Sequence, residues 1–188
     1  MITQERINHI VSEISSTKQE EIANLPLEIV NIIAKEIDAK CVEMYFVDSD
    51  KALAMRHAGS GELGKRFDKY NRTRNLKVHN EFGGQVGPSI VLGEVRVVDW
   101  DLGKLISYPL LLKPLNSYSE SRQEIIIDTR PMYESPDFAS MQDIYLLIRS
   151  DENNIGALCM YFDNTVATTD KEILLLQGIA DFIGDFVK

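Results

Sequence analysis

Apolar residues recur along this chain with two different periods, and the switches between them mark out its elements. Near the start, Ile7, Ile10, Val11 and Ile14 fall at i, i+3, i+4 and i+7, the stripe of an amphipathic helix. Thr3 is placed to cap that helix, and Gln4 and Glu5 suit its first turn. Ser15-Ser16-Thr17 then interrupts the pattern. A second helical stretch carries Ile22, Leu25, Ile29, Val30, Ile32, Ile33 and Ile37 on one face. Pro26 divides it into a short turn and a longer helix from about Leu27, since proline is tolerated in a first turn.

From Cys41 the period drops to two. Residues Cys41–Asp48 read as a strand, Asp48–Lys51 as a tight turn, and Ala52–Ala58 as the partner strand of a hairpin. Gly59-Ser60-Gly61 ends the hairpin, and Leu63, Phe67 and Tyr70 mark one face of a short basic helix. The glycine-rich passage Gly83–Pro88 is expected to be loop. Strand-like runs follow at Glu94–Trp100, Leu105–Leu112 and Glu124–Asp128, with a loop over residues 129–142 that holds Pro131 and Pro136. Asp143–Arg149 and Ile155–Phe162 form a second hairpin around a polar turn. Thr169-Asp-Lys-Glu172 is a capping box, and the helix it opens carries Leu175, Leu176, Ile179, Phe182, Ile183 and Phe186. The pattern predicts one α+β domain over residues 18–188 with an extra N-terminal helix over residues 1–17.

Composition narrows the class. The chain has 188 residues, 44% of them hydrophobic and 26% charged, which is ordinary for a folded domain with its own core. No apolar run approaches the roughly 20 residues of a membrane helix, and the start lacks the layout of a signal peptide. The two cysteines, Cys41 and Cys159, lie in apolar strand-like runs, which fits a reducing cytoplasm. The net charge is −9, so nucleic acid is a poor partner. Residues 51–80, however, hold eight basic and two acidic side chains, a net of +6 that leaves −15 on the rest. Such a segment either forms a solvated face or draws in a small anion.

The order of elements resembles a GAF domain, a PAS-related sensor fold with an antiparallel sheet flanked by helices. Four stretches carry the likeness: IIAKEIDAKCVEMYFVDSD, GGQVG, YLLIRSDENNIGALCMYF and TTDKEILLLQGIADFIGDFV. The resemblance covers about residues 20–188. It implies a pocket between one face of the sheet and the loops over residues 60–140, open to cyclic nucleotides, tetrapyrroles, haem, small metabolites or anions. No Asn-Lys-Phe-Asp-Glu motif of the cyclic-nucleotide members occurs, and residues 60–140 hold no cysteine to anchor a bilin. From where the family places its pocket, the candidate ligand-binding residues are Arg56, His57, His79, Trp100, Tyr108, Arg122, Arg130 and Tyr133. The arginines suit a carboxylate or phosphate, and the aromatics suit a pocket wall.

Catalytic chemistry has little support. Gly59–Arg66 nearly matches a phosphate-binding loop and follows a strand, but Arg66 stands where a metal-binding hydroxyl belongs. The hairpins also contradict a parallel sheet. Neither cysteine has an evident histidine and acid neighbour, so both read as small core residues. His9, His57 and His79 are too scattered to form a metal site by spacing. Two long apolar terminal helices suggest a homodimer, or else the first packs beside the last in one chain. The expectation is a cytoplasmic, non-enzymatic sensor of a small, anionic ligand that signals in trans, with no cofactor named. The alternatives are a ligandless scaffold and a redox enzyme resembling the GAF-type methionine sulfoxide reductases.

Overall fold

The computed structural model describes residues 2–17, 24–48, 53–65, 76–77, 85–100, 102–109, 123–126, 140–151, 153–167 and 169–187. Its strands are β1 (Cys41–Asp48), β2 (Leu53–Gly59), β3 (Leu76–Lys77), β4 (Glu94–Asp99), β5 (Lys104–Pro109), β6 (Gln123–Ile126), β7 (Gln142–Ser150) and β8 (Asn153–Phe162). The helices are α1 (Gln4–Ser16), α2 (Leu25–Ile37), α3 (Val86–Leu92) and α4 (Asp170–Phe186). The strands form one sheet in the order β3-β2-β1-β8-β7-β4-β5-β6, and every pairing is antiparallel. Both expected hairpins are present. The glycine-rich passage departs from expectation, because α3 opens inside it at Val86. Pro88 falls in the first turn, where a missing N–H removes no intrahelical bond.

Register sorts the strand residues onto two faces. Val42 pairs with Met160, Met160 with Ile144 and Ile144 with Val97; Met44, Leu158 and Leu146 form the next row. All seven are buried. Against this apolar face pack α2, on β1 and β2, and α4, on β7, with α1 lying against α2 and α4. Ile10 and Ile14 of α1 and Ile29 and Ile33 of α2 are fully buried in the same core cluster. The stripe on α1 is therefore met within its own chain.

Local chemistry holds the long helix in place. The Thr169 side chain accepts from the Glu172 amide, and the Glu172 carboxylate accepts from the Thr169 amide, which completes the capping box. Pairing between β4 and β7 stops at Arg96 and Tyr145. Just beyond it, Gln177 of α4 takes the place of a strand: its amide nitrogen donates to Leu147 O at 2.7 Å, and its oxygen accepts from Leu147 N at 3.0 Å. Arg149 donates to both carboxylate oxygens of Asp181. At Gly184 the helix meets the sheet so closely that a Cβ would stand 1.8 Å from the Arg149 carbonyl oxygen, whereas a Cβ on Gly178 would meet nothing within 4 Å among the described residues.

These two glycines of one helix respond oppositely to alanine. Gly178→Ala gains about 0.5–1 kcal/mol through helix propensity. Gly184→Ala loses about 1–3 kcal/mol because the backbone must give way. Urea denaturation of both variants checks the contrast, and a Gly184→Ala protein as stable as wild type contradicts the packing.

Candidate functional site

The second face of the sheet is polar where the first is apolar. One row runs Cys41, Tyr161, Asp143, Val98 and Leu105; the next runs Glu43, Cys159, Tyr145, Arg96 and Ser107. Helix α3 lies against β4, β7 and β8, and Arg96 on this face donates to the side chain of Gln85 just before it at 2.6 Å.

Two carboxylates are buried here, and each is surrounded by donors. Glu43, 2% exposed, accepts from Arg56 Nε at 2.5 Å through Oε1. Its Oε2 accepts from the hydroxyls of Tyr45 at 3.1 Å and Tyr161 at 3.0 Å. Asp143, fully buried, accepts from Trp100 Nε1 at 2.8 Å and from the Tyr145 and Ser140 hydroxyls. Tyr145 and Tyr161 meet edge to face, which joins the two clusters. Ionised carboxylates persist out of water only with such partners.

Arg56 reaches Glu43 because of a bulge. Met44 faces Ala58, but Tyr45 faces Arg56, so His57 is an extra residue in β2. Without it, His57 would oppose Tyr45; with it, Arg56 is turned onto the polar face. The Arg56 guanidinium also donates to Gly64 O at 3.0 Å, where a helical turn over residues 61–65 folds back on the strand. That contact accounts for the phosphate-loop look-alike. A Cβ on Gly64 would lie 2.3 Å from Gly59 O, and the Ser60 hydroxyl accepts from Val42 N at 2.7 Å. The glycines allow a tight turn to close over Arg56.

Of the candidate residues, Arg56 and Trp100 are brought onto this face, each bonded to a buried carboxylate. His57 is exposed over much of its surface and rests edge-on against Phe46, and partial desolvation lowers its pKa. Tyr108 pairs with Val95 on the helix-covered side, and its hydroxyl donates to Asp170 at the start of α4. His79, Arg122, Arg130 and Tyr133 lie outside the described residues. Sequence reasoning missed Glu43, Tyr45, Asp143, Tyr145 and Tyr161. The signal was a glutamate in the middle of an apolar strand run, which only a buried partner makes tolerable. Ser89 of α3 adds a further polar group: its hydroxyl is fully buried and has no hydrogen-bond partner among the described residues.

The same environment sets the thiol chemistry. Burial and the Glu43 charge push the Cys41 thiol from its ordinary 9.0 up to about 12, and burial with Glu43 and Asp143 pushes Cys159 well up too. Burial and Glu43 likewise hold the Tyr45 and Tyr161 hydroxyls protonated as donors. Iodoacetamide at pH 8 is therefore expected to leave both thiols unmodified in the folded protein and to alkylate both in urea. The unfolded chain loses its Cys41 proton near 9 while the folded one keeps it to about 12. The stability held by that thiol is thus intact below pH 9 and declines as pH rises between these values. A Cys41→Ser variant flattens this alkaline loss; native labelling of Cys41 at pH 8 contradicts the account.

No family model matches the sequence, and no curated protein matches it. Solved structures are similar over nearly the whole chain. The GAF domain of a phosphoenolpyruvate-protein phosphotransferase from Coxiella burnetii is 13% identical with a TM-score of 0.65, covering 97% of this chain and 90% of that one. A phycoerythrobilin-bound GAF domain from a cyanobacterial phytochrome is 14% identical with a TM-score of 0.64, over 100% and 95%. The free methionine-R-sulfoxide reductase of Neisseria meningitidis, in complex with its substrate, is 14% identical with a TM-score of 0.62, over 96% and 85%. An antiparallel sheet with helices against one apolar face and a polar opposite face, matched at this length, is the fold of a GAF domain.

Proposed function

We propose that this protein is a regulatory sensor that seats a small ligand on the polar face of its sheet and passes the change through its terminal helices to a separate protein. The observation that carries this reading is the concentration of buried hydrogen-bonding groups on one face: Glu43, Arg56, Tyr45, Tyr161, Asp143 and Trp100. The Ser89 hydroxyl supports it, since a buried polar group with no partner among the described residues is one a bound molecule can satisfy. The tyrosines and Trp100 offer donors and flat apolar walls, the pairing common to small-molecule sites. The basic segment 51–80 supports an anionic ligand. Such a ligand would compete with Glu43 for Arg56 and with Glu94 for Arg96, because each guanidinium is bonded to that carboxylate.

Binding that tightens this face would shift the population of helix arrangements on the other. Helix α4 also has the means to pair with a second copy. Leu175, Phe182 and Phe186 are only half-buried on one flank, the two phenylalanines stack, and Gly178 leaves open space between them. A reductase is the second reading, favoured by Cys41 and Cys159 sharing the polar face. It is the weaker one, because both thiols are held protonated and a nucleophilic cysteine works as the thiolate.

Native mass spectrometry of freshly purified protein tests the proposal. The expected result is a dimer of the 21.3 kDa chain carrying a small bound molecule. Adding that molecule back to stripped protein should shift the emission of the single tryptophan, Trp100. Ser89→Ala should weaken the affinity by about 5–10-fold, the loss of one buried hydrogen bond. Protein that is fully apo from every preparation and captures a stable protein partner instead points to a scaffold and overturns the sensor.

A further inference from the structure

Three side chains of metal-ligating type converge on the outer surface of the helix layer, on the opposite side of the sheet from the polar face. His9 and Glu13 stand one turn apart on α1, and Glu36 lies in the last turn of α2. The His9 Nε2 atom is 3.6 Å from a Glu13 carboxylate oxygen and 3.7 Å from a Glu36 carboxylate oxygen, and the three ligand atoms all lie within 4.8 Å of one another. These separations are too long for good hydrogen bonds. They are close to what a metal asks for. Zinc–nitrogen and zinc–oxygen bonds near 2.1 Å place neighbouring ligands of a tetrahedral ion about 3.4 Å apart, so the two separations between His9 and the carboxylates need to close by only a few tenths of an ångström.

The convergence is fixed by the core rather than by the surface side chains themselves. Ile10 and Ile14, fully buried, lock α1 against α2 and its buried Ile33 and Ile37, so the backbones of His9, Glu13 and Glu36 are held in register. His9, 55% exposed, and Glu13, 36%, are open to solution, while Glu36 is partly buried at 18%. Lys35 approaches the other oxygen of Glu36 at 3.6 Å, but it is 76% exposed and can swing clear.

We propose that His9, Glu13 and Glu36 form a site for a first-row divalent cation of the zinc class, which clips α1 to α2 and leaves a fourth position to water. One imidazole with two carboxylates suits such an ion better than calcium or magnesium, which take oxygen ligands alone. The site is independent of the sensor reading, because it lies on the opposite side of the sheet from the polar face.

Calorimetric titration with zinc chloride, repeated with cobalt to read ligand-field absorption, tests the assignment on the full chain. The expected result is one ion per chain and a zinc-dependent rise in melting temperature. His9→Gln and Glu36→Gln should each weaken binding at least about tenfold and abolish the melting shift, with unchanged circular dichroism showing that the variants fold. Glu36→Gln separates a bridge between helices from binding by α1 alone, and unchanged affinity in that variant overturns the proposal. No binding to the wild-type chain, or binding removed by Cys41→Ser and Cys159→Ser but kept in His9→Gln, overturns it equally.

Discussion

On neighbouring strands β1 and β2 a glutamate and an arginine are paired with almost no access to water, 3% and 7% exposed at their side chains, and the arrangement of the polar face follows from that pair. A buried carboxylate is costly unless it has a counter-charge and its remaining lone pairs are filled. Glu43 takes its counter-charge from Arg56 and its other bonds from Tyr45 and Tyr161, which ties together β1, β2 and β8. Arg56 in turn needs a further acceptor, and the turn over residues 61–65 supplies Gly64 O. The bulge at His57, the closely spaced Gly59 and Gly64, and the raised thiols beside Glu43 are all consequences of accommodating one ion pair.

Much of this was legible in the sequence, and the part that was not has a common cause. Periodicity located β1, β2, β7, β8, α1, α2 and α4, because each has an apolar stripe or alternation that local spacing records. The capping box at Thr169 and the cap at Thr3 are likewise local hydrogen bonds. The start of α3 was hidden by Gly87 and Pro88, which read as loop chemistry yet fit a first helical turn. Arg56 and Trp100 could be nominated by position, but not their partners. Asp143 lies 43 residues from Trp100, and Glu43 lies 118 from Tyr161, separations at which no sequence pattern survives. Tyr108 shows the same limit from the other side, because the register that turns it toward α4 depends on β4.

The two faces divide the work of the fold. The helix-covered face is apolar and closely packed, down to the close approach of α4 to the β7 backbone at Gly184. The polar face is held by directional bonds to carboxylates, and these can be exchanged for bonds to another molecule at little net change in energy. Gln177 and Asp181 of α4, bonded to Leu147 and Arg149 of β7, connect the two. Asp143 and Tyr145 are thus linked to α4 along the β7 backbone and through these hydrogen bonds. The described residues include no helix long and apolar enough to cross a membrane.

The dependence of the polar face on the Glu43–Arg56 pair is tested most directly by a double-mutant cycle in urea denaturation. Arg56→Met alone leaves a buried carboxylate without its counter-charge and should cost about 3–5 kcal/mol, as should Glu43→Leu alone. The double variant removes both charges but still leaves the Tyr45 and Tyr161 hydroxyls without their acceptor, so it should cost clearly less than the two single losses added, giving a coupling energy of several kcal/mol. Single variants that each lose less than about 1 kcal/mol and simply add, as exposed ion pairs do, would contradict the account.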